Sequence, residues 1–199
     1  RGDFMRIINL KKRAIIILLI IVIILLVSGC ARWPNGPGPE PGETEYQLEI
    51  TVEVKGQINS YEGIYYIVMD ADENSATGPG YDISFWDDRF YYIKLEDGFF
   101  YFVQKEEGSS EISLTSSSIG EKKFHVTIAL SDLEDPNSID INILTTDSDN
   151  NTYDHLDPYF TINTDLGSLR NVTDTAGDSG DGGEDFDIVE VTAVVTTLY

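Results

Sequence analysis

The chain has 199 residues, of which 35 are acidic and 13 basic, for a formal net charge of −22. So acidic a chain repels nucleic-acid phosphates and anionic lipid head groups, which excludes both as partners. With two histidines, one cysteine and no paired-carboxylate context, enzymatic activity is not expected and an internal disulfide is impossible.

Met5 is expected to be the translation start, because Arg1-Gly2-Asp3-Phe4 can be encoded by a purine-rich stretch that resembles a ribosome-binding site. Arg1-Gly2-Asp3 also spells an integrin-recognition tripeptide, but it precedes the export signal and would be discarded with it. Arg6, Lys11, Lys12 and Arg13 then lead into an unbroken apolar run over residues 14–27, which ends in Val27-Ser28-Gly29-Cys30. At 1.5 Å per residue such a run makes about 21 Å of helix, short of the roughly 30 Å hydrocarbon core. A basic head with a short apolar body has the form of an export signal. Its end resembles the lipobox of bacterial lipoproteins, where small residues let the signal peptidase approach the backbone and the cysteine receives diacylglycerol. The resemblance implies removal of residues 1–29, lipid on Cys30, an extracytoplasmic location and a membrane as partner through that lipid. Lipidation also removes an otherwise oxidisable thiol. Ala31 is not the aspartate that resembles an inner-membrane retention signal, so an outer membrane is allowed where there is one.

Residues 1–29 carry five of the basic residues and one of the acidic ones. The remaining 170 residues therefore hold 8 basic and 34 acidic side chains, a formal charge of −26. That length suits one well-buried domain. Within segment 30–44, Pro34, Pro37, Pro39 and Pro41 interleave with Gly36, Gly38 and Gly42, which predicts an extended tether of up to about 40 Å.

From residue 45 to 199 the pattern has period 2. Tyr46, Leu48, Ile50, Val52 and Val54 alternate with polar residues, as in a half-buried strand. Residues 64–69 are apolar on both faces and predict a central strand. Strands are predicted over 81–86, 89–95 and 99–104, with Asp97-Gly98 as the turn of a tight hairpin. Further strands are predicted over 111–115, 123–130, 139–144, 159–162 and 188–195. Ser131-Asp132-Leu133-Glu134 matches a capping box and predicts one helical turn before Pro136. About ten short strands without a long helix predict an all-β fold, a single antiparallel β-sandwich.

Two segments carry a family resemblance. Tyr65-Tyr66-Ile67-Val68-Met69-Asp70-Ala71-Asp72-Glu73-Asn74-Ser75-Ala76-Thr77-Gly78 resembles the strand and D-x-D-x-N-x-x-T-G segment of family 9 carbohydrate-binding modules and related DOMON-like sandwiches. Phe124-His125-Val126-Thr127-Ile128-Ala129-Leu130-Ser131-Asp132-Leu133 resembles their later strand ending in I-P-L-S-x-L, with Ala129 in the place of the proline. The resemblance covers residues 46–162 and implies a sandwich whose relatives bind sugars, haem or no identified ligand. Haem ligands in such domains are Met and His, but Met69 and His125 lie mid-strand and are expected as a core methionine and an outward histidine. Residues 174–189 resemble the opening D-x-x-G-D … D-I-V of another such module. They are expected instead to be a loop and the closing strand of this one, because so short a piece cannot fold alone.

Three oxygen-rich loops are candidate calcium sites: Asp70, Asp72 and Asn74; Asp147, Asp149, Asn150 and Asp154; and Asp178, Asp181, Glu184, Asp185 and Asp187. Aspartates and asparagines equally serve turns, so each loop has a purely structural alternative. Trp86 with Asp87 and Arg89 is the candidate sugar platform, an indole to stack on a pyranose and polar groups to bind its hydroxyls. The alternative is that Trp86 belongs to the core with its aromatic neighbours. Gly177-Asp178-Ser179-Gly180 resembles a protease nucleophile segment, but nothing around His125 or His155 supports it. The expected function is thus a membrane-tethered lipoprotein with a non-catalytic sandwich that binds carbohydrate or an envelope protein. A structural envelope lipoprotein without a small-molecule ligand is the alternative, and a hydrolase a third.

Overall fold

The structure, a computed structural model, describes residues 45–86, 90–104 and 110–198. Cys30, Asp87 and Arg89 lie outside the described residues. In chain order the strands are β1 (Tyr46–Val54), β2 (Gly63–Asp70), β3 (Tyr91–Glu96), β4 (Phe99–Val103), β5 (Ile112–Ser113), β6 (Ser117–Ile119), β7 (Lys123–Ala129), β8 (Ser138–Asp147), β9 (Thr152–His155), β10 (Phe160–Asn163), β11 (Leu169–Thr173) and β12 (Ile188–Thr197). They form two antiparallel sheets, one ordered β11-β12-β1-β7-β6 and the other β10-β8-β2-β3-β4-β5, with β9 also on β8. The protein is an all-β sandwich.

Alternation explains the core. Leu48, Ile50 and Val52 of β1 face inward beside Phe124, Val126 and Ile128 of β7 and Val191, Ala193 and Val195 of β12. They pack on Tyr65, Ile67 and Met69 of β2, Ile93 and Leu95 of β3, and Ile139, Ile141 and Ile143 of β8. Removing this apolar area from water is the main stabilising contribution. Because β12 lies between β1 and β11, the C-terminal strand belongs to this sandwich and does not open a second module. Asp97 and Gly98 both adopt positive φ, 51° and 81°, as the predicted hairpin turn requires.

Two local expectations are corrected. The segment over 81–86 is not a strand: Asp82 accepts hydrogen bonds from the Ser84 backbone N–H (3.0 Å) and hydroxyl (2.6 Å), starting a turn of 3-10 helix, Ile83–Phe85. The predicted turn before Pro136 exists as Leu130–Leu133, but Ser131 lies inside it and Ala129 precedes it, so no capping box forms. The turn ends where Glu134 and Asp135 take φ of 68° and 52°.

β2 is buried along its whole length because both faces are covered. Its outer face, with Ile64, Tyr66 and Val68, packs against Trp86, Phe90 and Leu144 in a second apolar cluster. At its start, a Cβ on Gly63 would come within 2.4 Å of the Thr146 carbonyl oxygen and 2.5 Å of Phe186 Cε1. Gly63→Ala is therefore expected to lower stability by about 1–3 kcal/mol through overpacking. A lower urea midpoint with an unchanged slope would register it, and an unaltered midpoint would refute the tight contact.

Candidate functional site

Trp86 is 1% exposed, and its Nε1 donates to the Gly80 carbonyl oxygen at 3.1 Å. It meets the Tyr66 ring edge-on at 5.4 Å and the Tyr92 ring at 5.6 Å. The expectation of an exposed sugar platform at Trp86 is overturned: so large an apolar ring gains more by sealing the outer face of the second sheet.

The oxygen-rich loops resolve differently. Asp70 Oδ1 accepts from the Asp72 N–H, Asp72 Oδ1 from the Asn74 N–H, and Asn74 Oδ1 from the Ala76 N–H. These three side chains form successive Asx turns, the structural alternative for that loop. Asp147 Oδ1 accepts from the backbone N–H groups of Asp149 and Asn151, both at 2.8 Å, and its Oδ2 from Asn151 Nδ2 at 2.7 Å. The Asn151 side chain and these N–H groups hold the Asp147 carboxyl below its ordinary range. Asp149 lends only its N–H to this turn among the bonds described.

Asp154 does not join that loop. It lies on β9, 4% exposed, and one oxygen each of Asp154, Asp174 and Asp178 falls within 4.8 Å of the others. Asp154 accepts from the backbone N–H of His155 (2.8 Å) and of Ile188 (2.7 Å). Burial pushes its carboxyl up to about 7 against these two bonds, and the charges of Asp174 and Asp178 add to the rise. Burial also raises Asp174, whose Oδ2 is buried without a hydrogen-bond partner. Converging carboxylate oxygens with an unsatisfied buried acceptor match the chemistry of a hard divalent cation, which takes oxygen ligands at about 2.3–2.6 Å. Asp187, from the third loop, is 1% exposed, accepts from the Gly177 N–H and lies 3.7 Å from Lys55 Nζ, which settles it as structural. Asp174 was not among the oxygen-rich loops read from the sequence: Asp178 lies in its own β11–β12 loop, but Asp154 comes from β9.

A separate open pocket of about 490 Å³ is bordered by Tyr81, Asp82 and Ser84 on one side and by Asn150, Asn151 and Thr152 on the other. Tyr81 is 57% exposed, and its ring meets that of His155 at 4.7 Å with a 41° tilt. Tyr66 donates its hydroxyl to Asn150 Oδ1 at 2.8 Å, which ties the second loop to β2. Burial pushes the Tyr66 hydroxyl up to about 12, so it stays a neutral donor. Sequence patterning missed this pocket, although Asn150 with φ of 65° is the kind of residue that marks a tight turn.

The remaining candidates separate in space. Met69 is fully buried on the inner face of the second sheet, whereas His125 is on the outer face of the first, beside the hydroxyls of Thr51 (3.1 Å) and Thr127 (3.2 Å). They cannot form an axial pair. Ser179 Oγ donates to the Gly183 carbonyl oxygen at 2.8 Å and is 4% exposed, a structural hydroxyl. Comparison with family models, with curated proteins and with solved structures returns no match. Fold and site together define a two-sheet antiparallel sandwich with an acidic cluster, Asp154 of β9 with Asp174 and Asp178 of the β11–β12 loop, and an open pocket between residues 81–84 and 150–152.

Proposed function

We propose that the chain is a lipid-anchored, extracytoplasmic and non-catalytic binding module, with carbohydrate or an envelope protein as its partner. The observation that carries this is the unbroken order of basic head, apolar run, Val27-Ser28-Gly29-Cys30, Pro/Gly run and, from residue 46, a sandwich strand. A lipid on Cys30 with a stalk of up to about 40 Å would hold the domain clear of the membrane. The formal charge of −26 after residue 29 favours keeping it there, since it repels anionic surfaces. The Ser179 hydroxyl, bonded to the Gly183 carbonyl oxygen, argues against the protease-like reading of residues 177–180. Calcium belongs to the reading as the ion for Asp154, Asp174 and Asp178, supported by the unpartnered Asp174 Oδ2.

Two or more acyl chains meet the threshold for stable attachment, whereas one binds only reversibly. Cys30→Ala is expected to abolish lipid labelling and signal processing and to move the mature-sized protein out of the membrane fraction. A variant processed and sedimented like the parent would refute the anchor. The second reading, a structural envelope lipoprotein without a small-molecule ligand, is favoured by the burial of Trp86, which withdraws the indole from ligand contact.

A further inference from the structure

We propose that the ledge between residues 81–84 and 150–152 is a subsite for a neutral saccharide, with Tyr81 as its stacking platform. The proposal rests on the binding-module reading above and assigns it a location and a ligand charge.

Tyr81 presents an aromatic surface that is 57% exposed and backed by His155, and an apolar ring face of this kind suits the C–H face of a pyranose. The polar atoms around it are exposed, and their bonds within the protein leave a particular set of donors and acceptors facing solvent. Asn150 Oδ1 is taken by Tyr66, which leaves its Nδ2 as a donor. Asn151 Nδ2 is taken by Asp147, which leaves its Oδ1 as an acceptor. Asp82 Oδ1 receives both Ser84 bonds, which leaves Oδ2 as a second acceptor. Interleaved donors and acceptors suit vicinal hydroxyls, each of which donates one bond and accepts others.

The groups are also held in place before any ligand arrives. Asp147 clamps the 149–151 turn with three bonds, Tyr66 pins Asn150, and Asp82 caps its own 3-10 turn. Little side-chain freedom is left to lose on binding, which favours affinity at an open site. Among the described residues no basic side chain borders the pocket, and Asp82 adds a negative charge. Uronates and phosphorylated sugars are therefore repelled, and the ligand is a neutral glycan. A volume of about 490 Å³ lies within the range of small-ligand sites.

The test uses the processed, lipidated chain in lipid nanodiscs, with cellohexaose, xylohexaose, mannohexaose and chitohexaose as neutral probes and an oligogalacturonate as the acidic one. At least one neutral probe is expected to bind and the galacturonate to fail. Tyr81→Ala is expected to weaken binding about tenfold or more, with Tyr81→Phe close to the parent. The thermal midpoint of Tyr81→Ala is expected to match the parent because the residue is exposed, and Tyr61→Ala, another exposed ring, is the control. Neutral binding that survives Tyr81→Ala overturns this subsite while leaving the binding-module reading intact. Preference for the galacturonate overturns the ligand class, and binding of no probe overturns the inference, with anchoring still judged separately by Cys30→Ala.

Discussion

Trp86→Ala is expected to destabilise the sandwich by about 3–5 kcal/mol, the usual consequence of removing a fully buried aromatic. The indole is 1% exposed and fills the outer-face cluster between Tyr66, Val68, Phe90 and Leu144. Its removal opens a cavity, deletes two ring–ring contacts and strips the Gly80 carbonyl of its donor. Trp86→Phe keeps much of the packing and loses chiefly the hydrogen bond, so about 1–2 kcal/mol is expected there. For a domain of this size the alanine variant corresponds to a fall of roughly 10 °C in the thermal midpoint. Urea unfolding of the two variants beside the parent measures both. A loss below about 1 kcal/mol for the alanine variant would mean that Trp86 is not packed against the outer face of β2.

Stability is expected to fall as pH rises from about 4 to 7 in the presence of a chelator, through Asp154. Burial raises its folded-state carboxyl to about 7, while the unfolded chain has the ordinary value near 3.9. Between those values the native state holds the proton and the unfolded state does not, so raising the pH favours unfolding. The stability is fully present below about pH 4 and is lost as pH passes through about 7. A shift of three units bounds the effect at about 4 kcal/mol. Asp174 and Asp178 face the same group, and Asp174, itself raised by burial, adds in the same direction. Calcium reverses the trend, because the ion replaces the proton: millimolar calcium should restore roughly 1–2 kcal/mol at pH 7.5 and nearly nothing at pH 4.5. Magnesium, which sheds its water reluctantly, should do clearly less. Carbon-13 NMR of the Asp154 carboxyl, recorded with pH-dependent unfolding in chelator and in calcium, reads both parts. Equal stabilisation by calcium, magnesium and ionic-strength-matched sodium chloride would leave charge screening as the cause.

How far each feature was legible depends on how local its physics is. In β1 and β7 alternate residues meet one core, so a period of two in the chain is itself the record of one buried face. Asp97-Gly98 was equally readable, since the turn needs φ > 0 from its own two residues. The sandwich class follows from the sequence alone for the same reason. Residues 81–86 were misread as a strand because aromatic density does not say which surface the rings cover. Tertiary packing decided that Trp86 seals the outside of β2 and leaves Tyr81 exposed. Packing also separated Asp154 from Asp147 and Asp149, its neighbours in sequence, and placed it with Asp174 and Asp178. Sheet order causes that exchange: β9 pairs with β8 and leads the chain away from the 147–150 turn, while Asp154 is tied to the start of β12 through the Ile188 N–H. Local periodicity carries the direction of each side chain relative to its own strand, but the partners across the fold are set by long-range strand pairing, which no short window of residues contains.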